Sequence, residues 1–490
     1  MESRDEGLHI DSITDKRAIS QRRVKVTVIT AIISDFIGKI IPLCTIAYGS
    51  RMLGSRAFGE SQFSLYLLEF FGPVIVWGYF FIAVNELGRN QGDREKTKQY
   101  CSQILGLRLL HSSFSALCVL GIALFNPRYI EYQSLIVHLA CMIMLAGFSL
   151  EFYFIGTQKL IAMHILLVIG KLSIFAAVVS FVHFPEDVLA FTTITYGINI
   201  FNAIVSYIYA SKQLGLILPR LKGAAKVFKQ SVPYGVFFVL MILTERIDVL
   251  IVEWIGGSEA VGVYSPALRL YMSIYTSIIA VGAVFYSESS AKDNAVGASN
   301  LIRQGFLTLF VISLPVSFGS WFLGEQFFVD LFGEQYRGSS ELFSALTFGL
   351  LGQAIIYVTV FQILLPKRKI RVLLKVWLVG WPLAAGLLAL MGSNFGVIGV
   401  AWGVSFTRLI QAGALLFMCR HELERLPINE LKLVAIPCIA MMLVLKLLPG
   451  DMHWLYFLVV GAIVFLGVFL ATNRHIFHQL VGAVVSRNPS

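Results

Sequence analysis

Nine of the ionisable side chains inside long apolar runs of this chain set the question by their chemistry. The bases are Lys39, Lys171, Arg246, Arg269 and Arg408; the acids are Asp35, Glu69, Glu245 and Asp248. A charge at the centre of a bilayer costs about 2.5–3.5 kcal/mol, so such a set must line a wet cavity or pair internally. Lys and Arg in a cavity suit an anionic ligand, because phosphate oxygens accept charge-assisted hydrogen bonds. Interleaved carboxylates would screen that charge and could bind H⁺ or Na⁺. Asp35 and Lys39 are four apart and share a helix face, and Glu245 and Asp248, three apart, share another. For Lys171 and Arg408, packing ion pairs that lock helices together are an equal alternative. Arg108 is intermediate in depth, and His111 follows it by one turn, as a proton shuttle or as a hydrogen-bonded packing residue.

The elements that carry these residues follow from composition. Of 490 residues, 57% are hydrophobic and 14% charged, against about 25% charged in soluble proteins. That excludes an ordinary soluble enzyme and a disulfide scaffold, and leaves a polytopic α-helical membrane protein. The formal charge of +10 sits mostly in short loops, where it sets orientation rather than binding nucleic acid. The six cysteines form no C-x-x-C pair and read as small apolar residues. Residues 1–25 are polar and lack the pattern of a cleaved signal peptide. There is no P-loop, G-x-S-x-G, H-E-x-x-H or metal-ligand spacing, so neither an ATP-driven pump nor a hydrolase is indicated and no cofactor or metal is expected.

A membrane helix needs about 20 predominantly apolar residues. Fourteen such runs are expected, at 26–49, 59–87, 103–125, 134–155, 160–183, 187–209, 231–255, 263–288, 304–323, 341–365, 372–392, 395–418, 431–448 and 453–473. On this map one face holds 27 Lys and Arg, counting Lys432 at the edge of its span, and the other holds only Arg51, Arg56, Arg128 and Arg337. By the positive-inside rule both termini are cytoplasmic. The outer loops are short, and the aromatics of the longest, 324–340, are expected at the membrane interface.

The stretch Leu53-Gly54-Ser55-Arg56-Ala57-Phe58-Gly59 recurs after the seventh span, with one residue inserted, as Ile255-Gly256-Gly257-Ser258-Glu259-Ala260-Val261-Gly262. Tyr196-Gly197 is matched by Trp402-Gly403 at a similar offset. These repeats imply two six-helix halves of the same orientation, a parallel repeat found in transporters. The expected organisation is a cytoplasmic tail 1–25, a six-helix bundle 26–210, a basic linker 211–230 lying on anionic lipid, and a second bundle 231–420. Two extra helices at 431–473 and a cytoplasmic tail 474–490 complete it.

The seventh span and its exit carry a more specific pattern: Arg246-Ile247-Asp248-Val249-Leu250-Ile251, Gly256, Ala260-Val261-Gly262-Val263-Tyr264 and Ala267-Leu268-Arg269-Leu270. Supporting stretches are Arg51-Met52-Leu53-Gly54, Phe58-Gly59, Gly156-Thr157-Gln158-Lys159, Phe332-Gly333-Glu334-Gln335-Tyr336 and Gly396-Val397-Ile398-Gly399-Val400-Ala401. In these residues the chain resembles the Wzx-type polysaccharide (O-antigen) flippases of the multidrug/oligosaccharidyl-lipid/polysaccharide (MOP) exporter superfamily. The resemblance implies alternating access of two bundles that move a polyprenyl-diphosphate-linked oligosaccharide to the outer leaflet of the inner membrane, for O-antigen, capsule or exopolysaccharide. It implies no enzymatic activity, an H⁺ or Na⁺ coupling ion, function as a monomer, and a glycan polymerase with chain-length machinery as partners.

On that resemblance Lys39, Arg246 and Arg269 would hold the diphosphate. Asp35, Glu69, Glu245 and Asp248 would line the cavity or couple a cation, and Lys171 and Arg408 are secondary cavity candidates. The two C-terminal helices would offer a groove for the lipid tail. The absence of a tight Arg triad speaks against lipid II. A cation-coupled multidrug antiporter of the same superfamily would want an acid-dominated pocket, and a membrane glycan polymerase or ligase would want a larger outer loop.

Overall fold

The computed structural model describes the backbone of residues 3–89, 93–130, 133–157, 160–291, 295–367, 369–423, 427–450 and 452–485. Side chains are described from 37 to 473 apart from short stretches, the longest being 280–299. The described residues contain no strand. The helices are α1 (Ser3–Val76), α2 (Tyr79–Arg89), α3 (Arg94–Phe125), α4 (Gln133–Ala146), α5 (Glu151–Gly156), α6 (Leu160–Phe181), α7 (Val188–Leu214) and α8 (Ala224–Ala291). They continue with α9 (Ala295–Gly319), α10 (Gly324–Phe332), α11 (Ser339–Thr347), α12 (Leu350–Tyr357), α13 (Ile370–Met418), α14 (Ile428–Leu447) and α15 (Trp454–Val485).

Among the described residues eight helical stretches are long and apolar enough to cross a membrane, which makes this a multi-pass membrane protein. The fourteen runs expected from the sequence fall on these helices in a specific way. Three helices carry two runs each without an intervening loop, and each breaks at one glycine: Gly54 in α1 (φ 74), Gly257 in α8 (φ 68) and Gly396 in α13 (φ 66). Their ψ values of 170, −168 and −152 place them in a region that only glycine occupies without strain. A single residue therefore reverses the chain where a loop was expected. The second run is itself divided between α1 and α2 at Trp77 and Gly78, both with positive φ. The fourth is divided between α4 and α5, with 147–150 not helical.

The chain forms two compact units: Met1–Thr45, Val74–His183 and Leu189–Val232 in the first, and Ile46–Pro73, Phe184–Val188 and Pro233–Ser490 in the second. The first has a core that includes Tyr79, Ile104, Leu105, Phe152, Leu214 and Val227. The segment between α7 and α8 lies on α3: the Arg220 N–H donates to the Ser102 carbonyl at 2.9 Å and Gln103 Nε2 donates to the Lys222 carbonyl at 3.3 Å. In the second unit Phe237, Leu240, Val360, Trp377 and Leu415 form one core cluster.

The loop 324–340 of the second unit corrects an expectation. Phe328, Phe332 and Tyr336 are fully buried rather than interfacial. The loop folds as α10 and a following turn through Gly333 (φ 112) and is tied down by polar contacts. The Arg51 guanidinium donates to the Asp330 carbonyl, Ser50 Oγ to the Phe332 carbonyl, the Tyr336 hydroxyl to the Ser50 carbonyl at 3.0 Å, and the Ser55 N–H to Gln335 Oε1 at 2.7 Å. Backbone polar groups that cannot reach water find partners here, and the aromatics fill the space beneath.

Candidate functional site

Within the second unit the charged residues resolve into two groups. The first centres on Glu69, whose carboxylate bridges two arginines: Arg246 Nη2 at 3.0 Å and Arg269 Nη1 at 3.1 Å. Gln62, Tyr66 and Glu69 lie on one face of α1 at spacings of four and three. Arg269 Nη2 donates to Gln62 Oε1 at 3.4 Å, and both guanidinium carbons lie near the Tyr66 ring, 5.8 Å (Arg246) and 4.7 Å (Arg269) from its centroid. Aromatic contact of this kind stabilises a cation away from bulk water.

Two full positive charges thus share one carboxylate. Arg246 Nε and Nη1, Arg269 Nε and Gln62 Nε2 are buried donors without a hydrogen-bond partner. The side chains keep some access to solvent, 14% for Arg246, 24% for Arg269 and 32% for Glu69. An excess of positive charge, unused N–H groups and partial access together suit an acceptor-rich anion.

The second group is closed. Tyr264 OH donates to Asp248 Oδ2 at 2.7 Å and Tyr275 OH donates to Glu245 Oε1 at 3.0 Å. Arg408 interacts electrostatically with both carboxylates and donates through Nη1 to Gln411 Oε1 at 3.3 Å. Asp248, Arg408 and Glu245 are all buried. Buried carboxylates need such donors, and Tyr264 and Tyr275 of α8 supply them, while Tyr271 between them hydrogen-bonds Arg408.

Of the remaining expected residues, Lys171 of α6 donates through Nζ to the Gly38 carbonyl at 2.9 Å. That carbonyl would ordinarily accept from the residue four positions on, which is Pro42 and has no N–H. Lys171 therefore fills a gap left by a proline. Lys39 follows Gly38, in the first unit and half-buried. The side chain of Asp35 lies outside the described residues. Inspection of charges alone missed Gln62, Tyr66 and the three tyrosines of α8. The polar stripe Gln62-Tyr66-Glu69 in an apolar run was the signal available for the first two.

An apolar cavity of about 490 Å³ lies in the second unit among α8, α9, α14 and α15, lined by residues that include Leu270, Ile274, Pro315, Met441, Gly461 and Phe465. Leu270 is the residue after Arg269, so one turn of α8 serves both the cationic group and the cavity. Outside the membrane segments, Glu422 is paired with both Lys367 and Lys369. Those two bonds hold its carboxyl down at about 2. Asp330 is likewise held below the usual carboxylate range, chiefly by the Trp454 and Gln326 side chains that donate to it.

A family model described as "Polysaccharide biosynthesis protein" matches residues 25–286. The structure is similar to one titled "Lipid II flippase MurJ, inward closed conformation", at a TM-score of 0.70 and 16% identity, over 93% of this chain and 99% of that one. It is also similar to an inward-facing multidrug resistance MATE family transporter of the MOP superfamily, at a TM-score of 0.62 and 13% identity, over 79% of this chain and 94% of the other. A MOP superfamily transporter from Pyrococcus furiosus, whose title reports reverse polarity of its binding pocket, matches at a TM-score of 0.55 and 14% identity, over 81% and 95%. These likenesses show the fold, an all-α membrane architecture. No curated protein matches the chain.

Proposed function

The chain belongs to the family of polysaccharide biosynthesis proteins within the MOP superfamily, and from that membership we propose that it is a flippase rather than an enzyme. Its cargo is a polyprenyl-diphosphate-linked oligosaccharide, moved from the cytoplasmic to the outer leaflet of the inner membrane by alternating access. The observation that carries this reading is the shared carboxylate: Glu69 neutralises one of two arginines and leaves the other's charge, with unused N–H donors, for an anion. A diphosphate presents the acceptor oxygens and charge that such a group lacks. Arg246 and Arg269 hold it, and Glu69 is the counter-ion released when it arrives; Lys39, in the first unit, is a separate candidate base for the same headgroup. The apolar cavity beside Leu270 takes the polyprenyl chain, so headgroup and tail are read by adjacent residues of α8.

The buried pair Glu245 and Asp248, with Arg408 as internal counter-charge, gates the passage or exchanges a cation, and Asp35 and Lys171 act beside Lys39. A cationic drug would meet two arginines in the accessible group, which favours the anionic cargo over multidrug export. The product is an O-antigen, capsule or exopolysaccharide, with a polymerase and chain-length machinery acting downstream on the delivered unit.

The test uses proteoliposomes holding a polyprenyl diphosphate with a fluorescent disaccharide, and measures how fast the label becomes accessible to a membrane-impermeant quencher. The protein is expected to accelerate that exchange, and Arg246→Gln and Arg269→Gln each to abolish it while the protein stays in the membrane. Equal exchange by both variants would remove the diphosphate assignment.

A further inference from the structure

Two helices of the first unit are broken at membrane depth, and α3 touches both breaks. α1 ends at Val76 and α2 starts at Tyr79, with Trp77 at φ 46 and Gly78 at φ 77 between them. α4 ends at Ala146 and α5 starts at Glu151. Irregular backbone at this depth persists only where protein buries it or water lines it, and transporters build ion sites at such discontinuities. His111, near the middle of α3, lies against the last turn of α1, where its imidazole interacts with the Val74 backbone and a helix leaves carbonyls without internal partners. The next residue, Ser112, donates to the Met144 carbonyl at 3.5 Å, and a Cβ on Gly147 would lie 2.4 Å from Ser112 Oγ.

The imidazole sits in an aromatic box. Its centroid is 5.4 Å from Trp77, 5.8 Å from Tyr79 in a stacked arrangement, and 6.0 Å from Phe228. Nδ1 is buried and has no hydrogen-bond partner. A neutral ring with its proton on the other nitrogen presents at Nδ1 one bare lone pair, which fits a proton. Among the described residues no three metal-ligating side chains gather.

The groups that face the ring oppose one another. Arg108 lies one turn earlier on α3, and Glu151 of α5 offsets its charge. The carbonyl end of α1 favours an imidazolium. From α2 comes Tyr79; from the start of α8 comes Phe228, with Lys226 and Lys229 exposed. A shift at the Trp77–Gly78 junction changes the distance between ring and carbonyl end, and with it the balance.

We propose that His111 is the binding site for the proton that couples transport to a proton gradient. Nδ1 takes a proton from water reached from one face of the membrane and returns it to water on the other face after the α1–α2 junction rearranges. The Nδ1–H bond is the one bond made and broken. The coupling role rests on the transporter reading above, whereas the protonation site does not.

Two measurements separate them. In a protein retaining Trp77 with the other six tryptophans changed to Phe, indole emission is followed from pH 5 to 8. An imidazolium 5.4 Å away quenches the indole, so emission should rise through one transition, and stay flat in His111→Gln, whose amide is polar but does not titrate. Proteoliposomes with the fluorescent disaccharide probe are then given a gradient of one pH unit, which drives up to about tenfold accumulation per coupled proton. The His111 protein should respond and His111→Gln should exchange the probe equally with and without the gradient. A flat titration in the His111 protein overturns the site, and an unchanged gradient response in His111→Gln overturns the coupling. A clear titration with no exchange by either protein supports the site and overturns the transport reading instead.

Discussion

Glu69→Gln separates a diphosphate site from a structural ion pair, because the two give opposite signs. In the structure one carboxylate lies 3.0 Å from Arg246 and 3.1 Å from Arg269. The guanidinium carbons are 5.8 and 4.7 Å from one ring centroid, so they are no more than about 10.5 Å apart. At an effective dielectric of about 20 they repel by about 1.6 kcal/mol even at that limit. Breaking a buried pair by removing one partner costs about 3–5 kcal/mol, and since Glu69 is 32% exposed the lower figure applies. The ligand-free variant should therefore melt a few degrees below the unsubstituted protein. A diphosphate no longer has to displace the carboxylate, so binding should tighten by about 1.6–3 kcal/mol, roughly tenfold to a hundredfold. Thermal shift in detergent against farnesyl diphosphate reads both effects, and flipping should slow as release slows. If farnesyl diphosphate binds Glu69→Gln no more tightly than it binds the unsubstituted protein, the arginines are packing groups and the reasoning fails.

Three further outcomes are expected. Gly59→Ala and Gly262→Ala should each destabilise by about 1–3 kcal/mol, because the new Cβ would lie 1.7 Å from the Ser258 carbonyl and 2.0 Å from the Ser55 carbonyl; unchanged melting of either variant refutes the close approach. Lys171→Met should cost about 1–3 kcal/mol by leaving the Gly38 carbonyl unpaired, and Pro42→Ala should restore most of it by supplying an N–H, as a double-mutant cycle on melting temperature would show. Glu422, held down at about 2 against an ordinary 4.5, contributes stability that is full above about pH 4.5 and drains as pH falls toward 2. The melting gap between unsubstituted protein and Glu422→Gln should thus be constant from pH 5 to 8 and close by pH 2.

What the sequence made legible was set by local physics. A mid-membrane charge is expensive wherever it goes, so Glu69, Arg246 and Arg269 stood out without any fold. Their pairing did not, because Glu69 and Arg269 are 200 residues apart and nothing local fixes which acid meets which base. Tyr264 and Tyr275 escaped notice because a tyrosine in an apolar run reads as packing until a buried carboxylate is found against its hydroxyl. The aromatics of the loop 324–340 failed in the other direction. Phe328, Phe332 and Tyr336 in a short polar segment fit an interface as well as a core, and only contacts from Ser50, Arg51 and Ser55 decide it. His111 had two readings, and a break in a neighbouring helix, invisible to periodicity, favours one.

The repeat around Gly54 and Gly257 acquires a physical cause. Gly54, Ser55 and Gly59 recur 203 residues later as Gly257, Ser258 and Gly262, and the two copies touch: Gly59 faces the Ser258 carbonyl and Gly262 faces the Ser55 carbonyl. Each copy supplies both the glycine that makes room and the serine backbone that fills it, as a two-fold arrangement requires. Small residues let backbones meet closely where burying apolar area gains little against lipid. Such a contact has few side chains to disentangle, so it can part and re-form without repacking a core. The glycines that turn the chain and the glycines that make room for the other copy thus recur together, 203 residues apart.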